Sequence, residues 1–351
     1  MTAEAPHHPL ATLTARRPGV ATVVGLLFVV ALAFWLAVNL YKGPAVFFDV
    51  TAIGITNGCV YALIALGYTL VYGILELINF AHGDVFMLGG MFSITYAVDF
   101  FGLHQGQGIL IVPIVFVVLL MAMASCGAIN AAIEFVAYRP LRGAPRLAPL
   151  ITAIGMSFII ENVGLKFWGP EYVVAPSVLP SSAVFSIGHF TFEWNKLITL
   201  LITVPVLLAL VYLIQRTRQG KAMRATAQDM DASAMMGINV NRTISFTFMI
   251  AGSLAGAAGL VYALYFTSVR FDAGFQLGLI AFTSAVLGGI GNLPGAVLGA
   301  MLIGLLQGWN EGLNWHAPGS DWTESIVFTI LILILVFRPA GLLGEQTPEG
   351  G

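Results

Sequence analysis

The feature that most constrains this chain is a succession of apolar runs, each about as long as a membrane-spanning helix. The hydrocarbon core of a bilayer is about 30 Å thick, so a helix needs about 20 apolar residues to cross it. Backbone amides have no water to bond there, which leaves helices as the expected structure. The candidate runs are 20–40, 50–73, 85–103, 109–136, 150–168, 197–214, 244–266 and the shorter 325–337.

Composition supports the same class. Hydrophobic residues make up 58% of the chain and charged residues only 9%, against about 25% charged residues in soluble domains. The formal net charge of −2 and the absence of charged tails argue against nucleic-acid binding. The two cysteines, Cys59 and Cys126, fall in apolar runs and predict neither disulfides nor a metal site. We therefore predict an all-α, polytopic integral membrane protein that binds no nucleic acid and no metal.

The region 275–312 is apolar but interrupted by the sequence LGGIGNLPGA. Glycine and proline punctuate helices, so this interruption predicts two short helices joined at 292–294. If both helices cross the bilayer, the chain has about ten transmembrane helices. If the region only dips into the membrane and returns, the number is eight.

The basic residues predict the orientation in the membrane. Cytoplasmic segments are enriched in Lys and Arg, and eleven of the 15 basic residues fall on one side if the N-terminus is cytoplasmic. An even number of crossings then returns the C-terminus to the cytoplasm. The residues on that side are Arg16, Arg17, Arg139, Arg142, Arg146, Arg216, Arg218, Lys221, Arg224, Arg242 and Arg338.

The first apolar run has two interpretations. Arg16 and Arg17 precede it, as basic residues precede the core of a signal peptide. The run is longer than the about 7–15 residues of such a core, and no small-residue cleavage site follows it clearly. We favour an uncleaved extra transmembrane helix within residues 1–45.

A polar group of three residues, Asn79, His82 and Asp84, interrupts the apolar sequence at 77–90. Polar side chains at membrane depth are costly and usually face a bundle interior or a water-filled path. They are therefore candidates for lining a translocation path. The alternative is a cytoplasm-facing turn in which Asp84 caps the following helix.

The most charged segment, 215–242, contains a predicted short amphipathic helix from Lys221 to Met236, with Gly237 as its C-cap. Such a helix suits a groove on a partner protein or the surface of an anionic membrane. Its predicted apolar face holds Met223, Ala227, Met230 and Ala234, and its polar face holds Lys221, Arg224, Gln228 and Asp231.

Four stretches together resemble the LivH-type permease subunit of branched-chain amino acid ABC importers. The similarity covers roughly residues 50–345; the extra helix before it and the charged Glu76 depart from the family pattern. The stretches are NGCVYALIALGYTLVYG at 57–73 continuing through INFAHGDVFMLGG at 78–90, YRPLRGAPRLAPLITAIGMS at 138–157, GKAMRATAQDMDASAMMGINVNR at 220–242, and AFTSAVLGGIGNLPGAVLGAMLIG at 281–304.

The resemblance implies a permease domain over residues 46–345, with residues 221–237 as the coupling helix that docks into a cytoplasmic ATPase. It implies a second permease subunit, two ATPase subunits and an extracytoplasmic substrate-binding protein as partners, in a bacterial inner membrane. The chain has no phosphate-binding GxxxxGK[ST] loop. We therefore expect no enzymatic activity and no bound cofactor, with ATP used by the partners. The coupling residues carried over are Arg224, Ala227, Asp229, Gly237 and Asn239.

The implied function is ATP-driven import of branched-chain or other hydrophobic amino acids. LGGM at 88–91 and LGAM at 298–301 each follow a polar break, as in transporters built from two related halves. This adds Ser284 and Asn292 to the candidates for the path. Two alternatives remain, namely a permease for urea or short amides and a proton-coupled transporter using Asp84 or Glu161.

Overall fold

The computed structural model describes residues 20–103, 111–145, 147–175, 183–187 and 190–344. Its described part is almost entirely helical, which confirms the predicted all-α class. The helices are α1 (Val20–Lys42), α2 (Pro44–Leu75), α3 (Ala81–Thr95), α4 (Ile111–Ile133), α5 (Leu147–Trp168), α6 (Trp194–Arg216), α7 (Arg218–Gln228), α8 (Met230–Met235), α9 (Val240–Phe266), α10 (Ala273–Gly288), α11 (Leu293–Gly312) and α12 (Thr323–Phe337).

Strands are few and short in the described part. Strand β1 (Val173–Val174) pairs antiparallel with β4 (Ser268–Val269). Strands β2 (Ala183–Ile187) and β3 (Phe190–Glu193) form a hairpin within the segment between α5 and α6. Since the β1–β4 pair joins the C-terminal ends of α5 and α9, it fixes those two helix ends together.

Seven helical segments in the described part are long and apolar enough to cross a membrane. Helix α10 is apolar but shorter, as is the part of α1 from Val29 to Lys42. The polytopic membrane architecture predicted from the apolar runs is therefore confirmed. The seven segments are Pro44–Leu75, Ile111–Leu141, Leu147–Trp168, Trp194–Arg216, Val240–Phe266, Leu293–Gly312 and Ser320–Phe337.

The chain divides into two compact units at Pro44. The first contains α1, whose described side chains from Val29 onward are mostly exposed. The second contains α2 to α12 and all the sites described below. The assignment of residues 1–45 as an extension and 46–345 as a permease domain stays a prediction.

In the second unit, the helix ends form two groups. The basic end contains the C-terminal ends of α2, α4, α6 and α12 with the N-terminal ends of α9 and α11. Its cations are Arg139, Arg142, Arg216, Arg218, Lys221, Arg224, Arg242 and Arg338. The opposite end is marked by contacts between the first turns of α2 and α6 and between α11 and α12. The sequence-predicted grouping of these cations on one side is thus reproduced by the packing.

The inner helices approach one another through glycines. A Cβ atom on Gly304 of α11 would lie 2.5 Å from the carbonyl oxygen of Gly54 in α2, and one on Gly89 of α3 would lie 2.8 Å from the Cα of Gly256 in α9. Neither position has room for a side chain. Small residues at such crossings let backbones pack closely in lipid, where hydrophobic burial no longer drives association.

The outer helices are joined to this interior by polar contacts near their ends. The Trp168 indole N–H of α5 donates to Thr95 Oγ1 of α3 at 2.8 Å. The buried Lys196 ammonium of α6 donates to Asp49 Oδ1 of α2 at 2.6 Å. These contacts fix the position of helices whose remaining surfaces are largely exposed.

The interruption in 275–312 produces two helices as predicted, with α10 ending at Gly288 and α11 beginning at Leu293. Gly289 has a φ of +108°, a conformation that favours glycine. The segment after α12 completes this turn, because the Leu342 N–H donates to the Leu287 carbonyl at 2.8 Å and the Leu343 N–H to the Gly288 carbonyl at 3.0 Å. The open carbonyl end of α10 is therefore satisfied by the chain's last described residues.

Candidate functional site

The predicted path residues Asn79, His82 and Asp84 are all buried, at 1% exposure or less. The N-cap of α3 is Phe80, and no side chain caps this helix. The alternative in which Asp84 is the cap is therefore wrong. Asp84 lies inside the first turn, and its carboxylate instead accepts a hydrogen bond from Ser157 of α5.

The other two polar residues also make packing contacts. Asn79 Oδ1 accepts a hydrogen bond from the Tyr138 hydroxyl at 2.7 Å, which ties the segment before α3 to the π-helical turn Glu134–Tyr138 that follows α4. The His82 ring packs edge-on against Tyr68, with 4.9 Å between ring centroids. It occupies the space that a side chain at Gly67 would fill. In this conformation the three residues join α2, α3, α4 and α5.

A cavity of about 730 Å³ opens at the basic end, between the C-terminal half of α2, the end of α6, α7 and the α10–α11 turn. Arg224 and Ala227, predicted as coupling residues, line it together with Asn292, predicted as a path residue. Ser284 does not line it; its hydroxyl is buried and donates to the Ile280 carbonyl at 2.9 Å. The structure thus brings members of the two predicted sites to one cavity.

The connecting segment, residues 217–239, forms two helices where one was predicted. Asp229 has an extended backbone, with φ −157°, and its Oδ1 accepts the Ala232 N–H at 2.8 Å. It therefore acts as the N-cap of α8, because a carboxylate satisfies the free amides of a helix start. The single-helix prediction missed this cap. The C-cap of α8 is Met236 rather than the predicted Gly237; Gly237 follows it with a φ of +83°, the left-handed conformation that often comes after a helix end.

The break also changes which face is buried. Met223, Thr226 and Ser233 are buried, whereas Ala227 and Ala234 are exposed. The predicted apolar face of Met223, Ala227, Met230 and Ala234 is therefore wrong. The extended residue at Asp229 rotates α8 away from the register of a continuous helix, which accounts for Ala234. Ala227 precedes the break and is exposed because α7 buries the face of Gly220, Met223 and Thr226 instead.

The remaining coupling candidates have local structural roles. The Arg224 guanidinium donates to the Ile214 carbonyl near the end of α6, which ties α7 to that helix. Asn239 Oδ1 accepts the Arg242 N–H at 3.0 Å and caps α9. Met235 and Met236, at 82% and 85% exposure, form an apolar tip that sequence reasoning missed. Two adjacent methionines before a glycine in a charged segment were the available signal.

A second feature missed at the basic end is the carboxylate of Glu134, which is fully buried. It accepts hydrogen bonds from Arg139 at 3.1 Å and from Ser245 of α9 at 2.6 Å, and it pairs with Arg142. Burial lowers the pKa of the Arg142 guanidinium, while Glu134 opposes that shift. This group fastens the segment after α4 to α9, close to the connecting segment.

The opposite end holds a cavity of about 400 Å³ whose polar wall was not predicted. The Arg270 guanidinium pairs with Asp272, and this pairing lowers the pKa of the Asp272 carboxyl. Gln307 and Glu311, one helical turn apart on α11, face the same space. The four-residue spacing of Gln307 and Glu311 was visible in the sequence. The other polar residues of this wall come from distant segments of the chain, so the wall itself was not. The lining residues are Tyr61, Tyr172, Tyr262, Ser268, Arg270, Asp272, Ala273, Gln276, Leu277, Ile280, Gln307, Glu311, Ser320, Thr323 and Glu324.

A small gap lies beside α10, between side chains of α2, of α10 and of the turn after α10. Tyr68, Phe282 and Ile290 surround a gap of about 10 Å³, and the rings of Tyr68 and Phe282 lie 5.8 Å apart. Ile290 also lines the basic-end cavity, and Ile280 lines the opposite-end cavity. Helix α10 thus runs from one cavity toward the other, with the Tyr68–Phe282 contact along its length.

The chain is similar to known transport permeases over most of its length. Residues 50–336 match the family model described as "Branched-chain amino acid transport system / permease component". The chain is 38% identical over 300 residues to the high-affinity branched-chain amino acid transport system permease protein BraD of Pseudomonas aeruginosa, covering 84% of this chain and 95% of the relative.

Two further relatives extend the comparison. The corresponding permease protein LivH of Escherichia coli K12 is 38% identical over 303 residues, with 84% and 95% coverage. The autoinducer 2 import system permease protein LsrD of Salmonella paratyphi B is 25% identical over 252 residues, with 68% and 70% coverage. No solved structure matches the chain.

Proposed function

Because the chain belongs to the family of branched-chain amino acid transport system permease components, we propose that it forms the membrane pathway of an ATP-driven, binding-protein-dependent importer. The observation that carries the proposal is the match over 84% of the chain to BraD and LivH. The seven long apolar helices and the cavities near the two ends of α10 fit such a role.

The proposed cargo is a branched-chain or other hydrophobic amino acid. The relatives whose names specify branched-chain amino acids share 38% identity with the chain, whereas the autoinducer 2 permease shares 25%. The higher identity favours the amino acid. Urea and short amides remain alternatives for the same transport mechanism, and proton-coupled transport is the alternative mechanism.

The proposed partners are a second permease subunit, two ATPase subunits and an extracytoplasmic binding protein. ATP hydrolysis belongs to the ATPases, so this chain needs no cofactor of its own. The basic end is proposed to face the cytoplasm of a bacterial cell, because Lys and Arg concentrate on that side of inner-membrane proteins. This orientation places both termini in the cytoplasm.

The connecting segment is proposed to dock on an ATPase subunit. Its exposed tip at Met235 and Met236 offers an apolar contact in an otherwise charged surface. Arg224 ties α7 to α6 and lines the basic-end cavity beside Asn292. Movement of the ATPases would therefore be transmitted both to α6 and to the α10–α11 turn.

The translocation path is proposed to run along α10 between the two cavities. Asn292 would lie at its cytoplasmic mouth, and Ser284 farther along α10. Asn79, His82 and Asp84 would act behind the path, since His82 packs on Tyr68, which in turn contacts Phe282 of α10. Opening would then require Tyr68 and Phe282 to separate, a switch between two populated states driven by the partners.

The test is uptake of radiolabelled leucine by proteoliposomes that contain this chain, its partner permease and the ATPases. Loaded binding protein is supplied outside and ATP inside. We expect ATP-dependent uptake that Arg224→Glu abolishes, because the substitution removes the tie to Ile214 and reverses the charge. Arg218→Glu is the matched control, since Arg218 is exposed on the same helix, and it should retain most uptake.

Three outcomes would contradict parts of the proposal. Uptake of urea but not leucine would keep the mechanism and change the cargo. Uptake that ignores ATP and follows a proton gradient would overturn the importer. Equal uptake by Arg224→Glu and wild type, at equal membrane levels, would remove Arg224 from the coupling mechanism.

A further inference from the structure

Two carboxylates in the opposite-end cavity have only neutral hydrogen-bond partners. Glu311 Oε1 accepts from Gln307 Nε2 at 3.0 Å and from Thr323 Oγ1 at 2.8 Å. Glu324 Oε1 accepts from the Gln276 side chain. Within the described residues, neither carboxylate forms an ion pair. Both therefore retain their full attraction for a cation that enters the cavity.

A third side of the cavity carries a positive group. The Arg270 guanidinium lies 5.4 Å from the centroid of the Tyr172 ring and is about two-fifths exposed beside its partner Asp272. A guanidinium can bind a second carboxylate through its remaining N–H groups. The charges that face the space thus have both signs, with an excess of negative charge.

Apolar and aromatic side chains also line the cavity. Ile280 is buried, and Leu277 and Tyr262 are half-buried. Tyr61, at 3% exposure, lies among them and donates its hydroxyl hydrogen to Gln307 Oε1 at 2.5 Å. The volume of about 400 Å³ falls within the range of about 300–1,000 Å³ that is typical of small-molecule sites.

We propose that this cavity is a receiving site for a zwitterionic α-amino acid with an apolar side chain. The ammonium group binds between Glu311 and Glu324, the α-carboxylate binds Arg270, and the aliphatic side chain packs on Leu277 and Ile280. This assignment rests on the proposed function and adds a defined subsite to it. It also means that this subunit contributes to cargo selection after release from the binding protein.

The test compares Glu311→Gln/Glu324→Gln with wild type in the reconstituted complex, using leucine imported per ATP hydrolysed as the measurement. Each glutamine keeps a hydrogen-bond acceptor but removes the charge. We expect about a tenfold fall in leucine per ATP, the scale of one lost charged hydrogen bond. ATP hydrolysis stimulated by loaded binding protein should stay close to wild type, because the docking surfaces are unchanged.

Two further variants make the experiment specific. Asp321→Asn removes an exposed carboxylate next to the cavity that does not line it, and it should match wild type. Glu324→Gln alone is a milder change that should give an intermediate fall in leucine imported per ATP. If the double variant misfolds, this single variant still tests the proposal.

The outcomes separate the two proposals. Wild-type leucine uptake per ATP in Glu311→Gln/Glu324→Gln would overturn the receiving site and leave the proposed function intact. Equal loss of uptake and of stimulated ATP hydrolysis would also overturn it, since the carboxylates would then serve docking of the binding protein. Failure of the wild-type complex to import leucine would contradict the proposed cargo and, with it, the ligand of this site.

Discussion

Helix α2 and the last spanning segment, Ser320–Phe337, have the same mean hydropathy but opposite positions in the fold. In the apolar window of the first, 83% of residues are buried, against 11% in the second. Lipid and protein interior are equally apolar, so hydropathy does not decide which helix lies inside. The difference lies in small residues: α2 contains Gly54, Gly58 and Gly67, while α12 contains neither glycine nor alanine.

The two kinds of helix are therefore held in place by different interactions. Inner helices make backbone contacts that tolerate no added side chain. Outer helices depend on a few polar contacts near their ends, such as Lys196 with Asp49. Substitutions should consequently have large effects in the first group at glycines, and in the second group mainly at polar residues.

The largest effect is expected for Gly304→Val in α11. The new Cβ would lie 2.5 Å from the Gly54 carbonyl oxygen and would also meet the backbone of Gly58. Backbone atoms cannot turn away, so we expect a loss of about 3 kcal/mol or more in the free energy of unfolding. Membrane protein level and the Tm of the detergent-solubilised protein would measure it.

Gly155→Val in α5 is the matched control for that substitution. Gly155 is exposed, and a Cβ there would meet no atom within 4 Å. We expect a change within about 0.5 kcal/mol, as for other surface substitutions. Similar losses at the two positions would refute the distinction between inner and outer helices.

A smaller effect is expected for Lys196→Met, which removes the polar contact between α6 and α2. Breaking a buried ion pair costs about 3–5 kcal/mol, but the Asp49 side chain is 38% exposed, so screening reduces our estimate to about 1–2 kcal/mol. Hydrogen exchange should rise in the first turns of α6. Lys166→Met, at an exposed lysine of α5, should leave exchange unchanged.

A still smaller effect on stability is expected for Asp272→Asn, which removes the ion pair between Arg270 and Asp272 outside the helices. Arg270 lowers the pKa of Asp272, so the pair stabilises the folded protein above the ordinary Asp pKa of about 3.9. That contribution is lost as the pH falls through the lowered pKa. The Tm difference between wild type and Asp272→Asn should be constant from pH 7 to pH 5 and shrink below about pH 4. A difference that instead shrinks toward pH 7 would contradict this origin.

The smallest effect is expected for Leu335→Ala in α12. Leu335 is 50% exposed, and its side chain faces an apolar solvent both in the folded state and in a separated helix. We expect a loss below about 1 kcal/mol in the free energy of unfolding. Leu66→Ala in α2, at a fully buried side chain, should cost about 2–5 kcal/mol, and equal losses would contradict the comparison.

The helices and the break before Leu293 could be predicted from the sequence, because the length of an apolar run and the positions of Gly and Pro are local signals. It was insufficient for the split at Asp229, where one capping side chain overrides a continuous helical pattern. It also missed the cavity at the opposite end, since Glu324 meets Gln276 only after α10 and α12 pack. Asn79, His82 and Asp84 were recognisable as unusual, but their contacts with Tyr138, Tyr68 and Ser157 depend on the assembled helices.

The completion of the α10–α11 turn by Leu342 and Leu343 has a consequence for biosynthesis. Chains emerge from the ribosome N-terminus first, at about 5–20 residues per second. The carbonyl groups of Leu287 and Gly288 must therefore wait for α12 and the segment beyond it before they gain these partners. A nascent chain that stalls before residue 342 would leave these two carbonyl groups without these partners. The turn between α10 and α11 thus gains these two hydrogen bonds only after α12 and the segment that follows it have been made.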